Sequence, residues 1–186
     1  MSRKAKRRPA TIASIQSFSQ ENSGVVRVII ETPKGCRNKY KFEPELNAFT
    51  LSNVLPEGMV FPYDFGFIPE TQADDGDPMD VLLLMDQPAF PGCVIESRLI
   101  GIIEAEQTEA GKTERNDRLI AVAEKNHSYS DLRNIAGMNK TLLTDIGRFF
   151  ANYHQARGSK FKVLGFRGPK QAYRLLRKSM RSSKAA

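Results

Sequence analysis

Short segments rich in Val and Ile, each long enough for one strand, occupy much of the chain between residues 25 and 124. Groups of Gly, Pro, Asn and Asp separate them, and short strands with frequent turns are typical of a β-barrel or β-sandwich. The turn at residues 32–35 predicts a hairpin between the first two strands. The predicted strands are residues 25–30, 38–42, 48–54, 59–68, 79–85, 94–104 and 118–124.

Helical periodicity appears only towards the C-terminus, where apolar residues recur at helical spacing between residues 139 and 157. One more strand is predicted at residues 161–166 and a basic helix at residues 169–181. The predicted fold class is mainly β (α+β), a mostly antiparallel barrel with helices packed outside it. The residues of the first helical stripe are Leu142, Leu143, Ile146, Phe149, Phe150 and Tyr153.

Of the 186 residues, 40% are hydrophobic, which is enough to form the core of one domain. Charged residues are unevenly distributed along the chain. Residues 1–10 carry five basic residues and residues 157–186 carry ten, with no acid in either segment, whereas the part between them is acidic. We therefore expect a basic flexible tail at residues 1–20, a barrel domain at residues 21–168, and a basic C-terminal helix and tail at residues 169–186.

The basic ends raise the question of nucleic-acid binding. Such ends can bind phosphates, but they are more often solubilising tails, and the acidic middle of the chain argues against a broad duplex-binding face. Nucleic acid is therefore not the expected partner.

No segment approaches the roughly 18 consecutive apolar residues of a membrane span, and the N-terminus lacks the apolar region of a secretory signal. We expect a cytoplasmic location and no membrane partner. The Arg-, Lys- and Ser-rich residues 1–20 leave an organellar transit peptide as the alternative. Cys36 and Cys93 are too few for a disulfide framework and are predicted to be reduced.

Carboxylates are crowded into one turn. Asp74, Asp75, Asp77 and Asp80 lie directly before the apolar segment 81–85. Like charges this close resist simultaneous ionisation unless a cation compensates them. Because the turn contains no His or Cys, its oxygen ligands favour a hard ion, and we predict Mg²⁺, with Mn²⁺ as the alternative. The turn therefore predicts magnesium-dependent phosphate chemistry.

This turn has two other interpretations besides a magnesium site. Acidic turns with Gly and Pro are common solvated surface features, and this alternative stays open on the motif alone. A calcium-binding EF-hand loop fits poorly, because it needs an oxygen ligand and then a glycine where this chain has Met79 and Asp80.

The segment 75–81 resembles the signature of the soluble family I inorganic pyrophosphatases, and the resemblance extends over residues 24–168. It implies a five-stranded OB-like barrel with flanking helices, and Mg²⁺-dependent hydrolysis of pyrophosphate to two phosphates. A homo-oligomer is also implied, since bacterial members are commonly hexamers. The other segments that follow the family's order are residues 29–33, 39–40, 61–68, 119–122 and 149–153.

The resemblance assigns the metal side of the site to four acids. Asp75, Asp77 and Asp80 would bind metal, and Asp77 would also take a proton from the attacking water. Glu31 matches a family glutamate at the end of an early strand and would be a further ligand, with an ordinary surface acid as the alternative.

The phosphate side would consist of Lys39, Arg118 and Tyr153. Arg118 stands where the family has a lysine, a change that keeps the positive charge. The alternatives are a solvated hairpin lysine for Lys39 and a plain core residue for Tyr153.

Several positions depart from the family pattern, which indicates a divergent member. In the loop before Arg118, either Asn116 or Asp117 aligns with a family aspartate, so Asp117 is kept as a candidate metal ligand, with Glu106 and Glu109 as the alternatives. The other departures are Lys41 for a glutamate, Asn53 for an arginine, Phe61 and Phe65 for tyrosines, Gln107 for an aspartate, and His154 for a lysine.

Two other functions stay open at this point. One is a non-catalytic OB-like protein that binds nucleic acid through its basic tails. The other is a metal-dependent phosphohydrolase that acts on nucleotides or polyphosphate.

Overall fold

A computed structural model describes residues 12–20 and 23–185. Two single-turn 3₁₀ helices, Ile12–Ser14 and Ile135–Gly137, accompany the main elements. In chain order these are β1 (Val25–Thr32), β2 (Asn38–Glu43), β3 (Ala48–Val54), β4 (Asp64–Ile68), β5 (Met79–Leu84), β6 (Val94–Glu109), β7 (Lys112–Arg115), β8 (Arg118–Ala123), α1 (Lys140–Gln155), β9 (Lys160–Arg167) and α2 (Pro169–Ala185).

Five strands close into a ring in the order β1, β4, β5, β8, β6 and back to β1. The predicted five-stranded OB-like barrel is thus confirmed. Its pairings are antiparallel except for β5 with β8, which run parallel. An odd number of strands cannot alternate in direction all the way around a closed ring, so at least one parallel pair is required.

The remaining strands lie outside the ring. Both β7 and β9 pair with the long strand β6, and β2 pairs with β3 as a separate hairpin. The predicted hairpin between the first two strands is therefore wrong. Both edges of β1 already pair with β4 and β6, so β2 has no free backbone edge of β1 to join.

The ring strands are apolar on both faces, as the uninterrupted run in β5 shows. Leu82 and Leu84 pack in a cluster with Phe150 of α1, whereas Val81 and Leu83 pack in a second cluster with Leu176 of α2. The two helices therefore cover opposite faces of the sheet, which is why β5 lacks the polar alternation of a half-exposed strand. No described helix is long and apolar enough to span a bilayer.

Helix α1 carries a buried stripe towards the ring. Asn139 begins the helix by accepting a hydrogen bond from the backbone N–H of Thr141, at 2.8 Å. Ile146, Phe150 and Tyr153 are buried on the stripe. The stripe places Tyr153, near the C-terminal end of α1, at the mouth of the barrel.

Both ends of the described chain pack against the barrel. Phe18 bridges Val26, and the backbone N–H of Arg27 donates to Ser17 O at 2.7 Å, so residues 12–20 lie along β1. Residues 1–11 of the predicted tail lie outside the described residues. At the other end, α2 shares a core with the barrel strands through Ala172 and Leu176.

Candidate active site

A cavity of about 650 Å³ opens at the mouth of the barrel. Its walls come from the end of β1, the starts of β5 and β8, the hairpin of β2 and β3, and the C-terminal end of α1. The predicted residues that line it are Glu31, Lys39, Asp75, Asp77, Asp80, Arg118 and Tyr153.

Asp75, Asp77 and Asp80 are hereafter called the acidic cluster. A tight turn before β5 positions Asp75 and Asp77, and Asp80 lies at the start of β5 itself. Asp75 Oδ1 accepts a hydrogen bond from the backbone N–H of Asp77 at 3.1 Å. Gly76 between them has a φ of +88°, a left-handed conformation that glycine adopts without strain. This turn brings the side chains of Asp75 and Asp77 to the cavity.

Glu31 lies at the end of β1 and is buried. Its Oε1 accepts a hydrogen bond from the backbone N–H of Phe42 at 2.9 Å, which ties the hairpin to the barrel. Burial raises the pKa of Glu31 to about 7, the Phe42 N–H opposes this, and the charge of Asp80 raises the pKa further. Glu31 is thus a buried carboxylate at the edge of the acidic cluster.

Two basic side chains contact the acidic cluster. Arg118 Nη1 lies 2.7 Å from Asp80 Oδ2, and Lys41 Nζ lies 3.2 Å from Asp77 Oδ1. The first pair follows from the parallel pairing of β5 and β8, because parallel strands begin at the same end of a sheet. The second pair joins the hairpin to the acidic turn.

A lysine, a tyrosine and an arginine also line the cavity, and the lysine and the arginine both lie near the Tyr153 ring. Lys39 Nζ lies 5.7 Å from the centroids of both the Phe65 and Tyr153 rings. Arg157 donates to the Tyr153 hydroxyl at 2.7 Å, and its guanidinium lies 5.5 Å from that ring. The sequence reasoning did not single out Arg157, although its spacing of four from Tyr153 is a usable helical signal.

The cavity thus combines acidic and basic side chains, which is the combination expected from the family resemblance of the sequence. Comparison with known proteins supports the same family. The family model for inorganic pyrophosphatase matches residues 28–184. The chain belongs to the inorganic pyrophosphatase family.

The chain matches curated inorganic pyrophosphatases over most of their length. The inorganic pyrophosphatase of Synechocystis is 39% identical over 149 residues, which cover 80% of this chain and 86% of the relative. That of Nostoc is 36% identical over 166 residues, covering 89% and 96%. The crystal structure of inorganic pyrophosphatase from Thermus thermophilus matches with a TM-score of 0.85 and 32% identity, covering 94% of this chain and 99% of that one.

One predicted ligand of this pyrophosphatase-family site lies elsewhere. Asp117 is not among the residues that line the cavity, and its carboxylate accepts from the backbone N–H of Ala105 at 2.9 Å and pairs with Arg115 at 2.8 Å. Asn116 lines the cavity instead and donates to Gln107 Oε1. Of the three positions that align with family aspartates, Gln107 and Asn116 line the cavity, and both are amides.

The tyrosine-to-phenylalanine departures lie in the core beneath the pyrophosphatase-family cavity. Phe61 and Phe65 are buried, and their rings pack together with a centroid separation of 5.5 Å. Asn53 lies in a smaller neighbouring cavity next to Tyr153 and Arg157. Arg157 therefore lines the same cavity as Asn53, the residue that departs from an arginine of the family pattern.

Two buried polar atoms on the cavity lining lack a hydrogen-bond partner in the described part of the chain, Arg118 Nε and His154 Nε2. Burial, followed by the charges of Arg118, Arg157 and Lys39, lowers the pKa of His154 to about 3. The imidazole is therefore neutral near pH 7. Buried polar groups of this kind require a partner, which indicates that the cavity holds a polar ligand or water.

The donor atoms of the cavity fit a divalent cation with oxygen ligands. Burial and the charge of Asp80 raise the pKa of Asp75, so negative charge at the acidic cluster is not fully compensated. An added hard cation would relieve this repulsion. Within residues 12–20 and 23–185, no three His, Cys, Asp or Glu side chains already converge on one ion position.

Proposed function

We propose that this chain hydrolyses inorganic pyrophosphate to two phosphates with the help of a divalent cation. One observation carries the proposal: a single cavity is lined both by the acidic cluster and by Lys39, Tyr153 and Arg157. A compact polyanion needs cationic groups around both phosphoryl groups, and its metal needs carboxylates beside them.

The metal side of the site would consist of the acidic cluster with Glu31 beside it. Carboxylate oxygens favour Mg²⁺, with Mn²⁺ as the alternative. When bound, the cation would neutralise phosphoryl charge and make the attacking water more acidic. Asp117 is the least supported ligand, because both of its oxygens already have partners within the protein.

The chain's own residues would perform the remaining steps. Lys39 and Arg118 bind phosphoryl oxygens, and the Tyr153 hydroxyl donates to them. Arg157 adds a second guanidinium to the cavity and orients the Tyr153 hydroxyl through their hydrogen bond. Asp77 accepts the proton of the attacking water, as a general base.

The alternatives weighed from the sequence are not favoured, since the relatives named inorganic pyrophosphatase cover most of the chain. A homo-oligomer, specifically a hexamer, and a cytoplasmic location stay predictions from the sequence and its family resemblance.

The test is phosphate release from pyrophosphate with Mg²⁺, compared between the wild type and Asp77→Asn. Loss of a general base is expected to lower kcat by about 10²-fold or more. The matched control is Asp74→Asn, because Asp74 belongs to the same turn but lies outside the cavity, near Lys178. Equal metal-dependent rates for the wild type and Asp77→Asn would contradict the proposal.

A further inference from the structure

Two of the three carboxylates in the acidic cluster already have a cation from the protein itself. Asp80 is paired with Arg118, whose side chain is 8% exposed, and Asp77 is paired with Lys41, whose side chain is 42% exposed. A carboxylate paired in this way attracts a metal ion less strongly, because the net charge it presents is smaller.

Lys41 is held near Asp77 by the hairpin. Its backbone pairs with Thr50 of β3, and the next residue, Phe42, donates its N–H to Glu31, which joins this part of β2 to the barrel. Lys41 is therefore a fixed positive charge at neutral pH.

Apart from its ion pair with Asp80, Arg118 is hydrogen-bonded to uncharged groups. Asn116 Oδ1 accepts from Arg118 Nη1, and Gln107 in turn accepts from Asn116. Amides at these two positions satisfy hydrogen bonds but do not attract a divalent cation as carboxylates do. Arg118 Nε is buried and has no hydrogen-bond partner among the described residues.

Charge in the cavity is nearly balanced by the protein alone. Neither Lys39 nor Arg157 lies within salt-bridge distance of a described carboxylate, so both are free to contact an anion. The basic lining residues are Lys39, Lys41, Lys112, Arg115, Arg118 and Arg157. The acidic lining residues are Glu31, Glu43, Asp75, Asp77, Asp80, Glu109 and Glu114.

We propose that Lys41 and Arg118 act as built-in counter-ions of the acidic cluster, so that the cavity binds a diphosphate anion in the absence of a divalent cation. The choice of a diphosphate rests on the proposed function. The counter-ion role rests on the two ion pairs and the amides around Arg118.

The proposal is tested by calorimetric titration of the metal-free protein in EDTA with methylenediphosphonate, a diphosphate analogue whose bridging carbon resists hydrolysis. Saturable binding is expected for the wild type. Lys41→Gln leaves Asp77 uncompensated, so it should weaken binding of the analogue roughly fivefold. In a second titration with Mg²⁺ alone and no EDTA, the same variant should bind Mg²⁺ roughly fivefold more tightly.

The matched control is Lys112→Gln. Lys112 also lines the cavity, but its partner is Glu114 of β7 and not the acidic cluster, so neither affinity should change by more than about twofold. A folding defect in Lys41→Gln would weaken both affinities. The opposite directions expected here therefore distinguish a counter-ion from a merely structural lysine.

Absence of saturable analogue binding in EDTA would overturn the proposal. So would a Lys41→Gln variant whose two affinities stay unchanged or move in the same direction. Wild-type protein that binds the analogue in EDTA but releases no phosphate with Mg²⁺ would contradict the proposed function and leave the counter-ion role supported. The reverse result would contradict the counter-ion role alone.

Discussion

Among single residues, His154 combines deep burial with a titratable ring. It is 3% exposed, its Nδ1 lies 3.1 Å from Ser159 Oγ, and its ring stacks on Phe161 with a centroid separation of 4.8 Å. Positive charges on Arg118, Arg157 and Lys39 further oppose its protonation. Protonating this ring in the folded protein is therefore costly.

We predict that His154 makes the fold sensitive to acid. Its pKa is about 3 in the folded protein and 6.5 in the unfolded chain, so the unfolded chain binds more protons between these values. Its stabilising contribution is complete above pH 6.5 and declines as the pH falls towards 3. The free energy of unfolding, measured in urea at several pH values, should lose up to about 1.4 kcal/mol per pH unit from this group.

The comparison variant for that measurement is His154→Phe, which keeps a ring against Phe161 and cannot titrate. The free energy of unfolding of the wild type minus that of the variant should fall steadily as the pH is lowered from 6.5 to 4.5. A difference that is constant over this interval would show that His154 does not supply the acid sensitivity.

All predicted site residues except Asp117 line the cavity, and the structure shows why some of them were easier to predict from the sequence than others. The acidic cluster was readable because its members are neighbours in sequence. The Lys41 contact with Asp77 depends on how separate elements pack, which a linear pattern does not contain. The Arg157 contact with Tyr153 is local and follows from their helical spacing of four.

Asn116 and Asp117 are neighbours in the connection between β7 and β8. Asp117 contacts Ala105 and Arg115 while Asn116 lines the cavity, a difference that depends on tertiary contacts and not on the local sequence.

At the scale of secondary-structure elements, the contact between β1 and β4 depends on a glycine. Gly66 pairs with Ile30, and a Cβ at this position would lie 2.0 Å from the backbone oxygen of Ile29. Because that atom belongs to the backbone of a paired strand, it cannot move away without breaking the ladder.

Gly66→Ala is therefore expected to destabilise the protein by about 3 kcal/mol or more, at or above the usual range for overpacking. The measurement is the midpoint of urea unfolding. Gly165→Ala in β9 is the matched control, since a Cβ there would meet only side-chain atoms at ordinary contact distance. Similar midpoints for the two variants would show that the strands separate more easily than the structure indicates.

The strands were predicted best where alternation or a continuous apolar run ends at a turn, as for β3 and β5. β4 begins at Asp64 and not at residue 59, because Pro62 has no N–H and Phe61 is hydrogen-bonded to the turn at Cys36. β7 was missed, since its residues 112–115 are all polar and become a strand only through pairing with β6. Tertiary pairing can thus override local composition.

At the scale of the whole molecule, α2 is a supporting part of the barrel and lies apart from the cavity. Leu176 is fully buried in the cluster formed by the ring strands and α2, whereas the cavity is lined by other elements. We predict that Leu176→Ala lowers the free energy of unfolding by about 2 to 5 kcal/mol. The KM for pyrophosphate should stay unchanged.

Urea unfolding and steady-state kinetics on the same preparation check both parts of this prediction. Leu164→Ala is the control, because Leu164 of β9 is 41% exposed and its truncation should cost little. A large rise in KM for Leu176→Ala at a temperature where it is folded would mean that α2 also shapes the cavity.

The parallel pair in the five-stranded ring has a consequence for how the chain folds. β5 is synthesised before β6 and β7, yet it can reach its parallel neighbour β8 only after those strands have been made. Until then the crowded acids before β5 face one another without Arg118. Ring closure over this long sequence separation is an intrinsically slow event, and it is the same event that first compensates Asp80. Before the ring closes, the carboxylates beside β5 therefore repel one another at the place where the finished protein has its cavity.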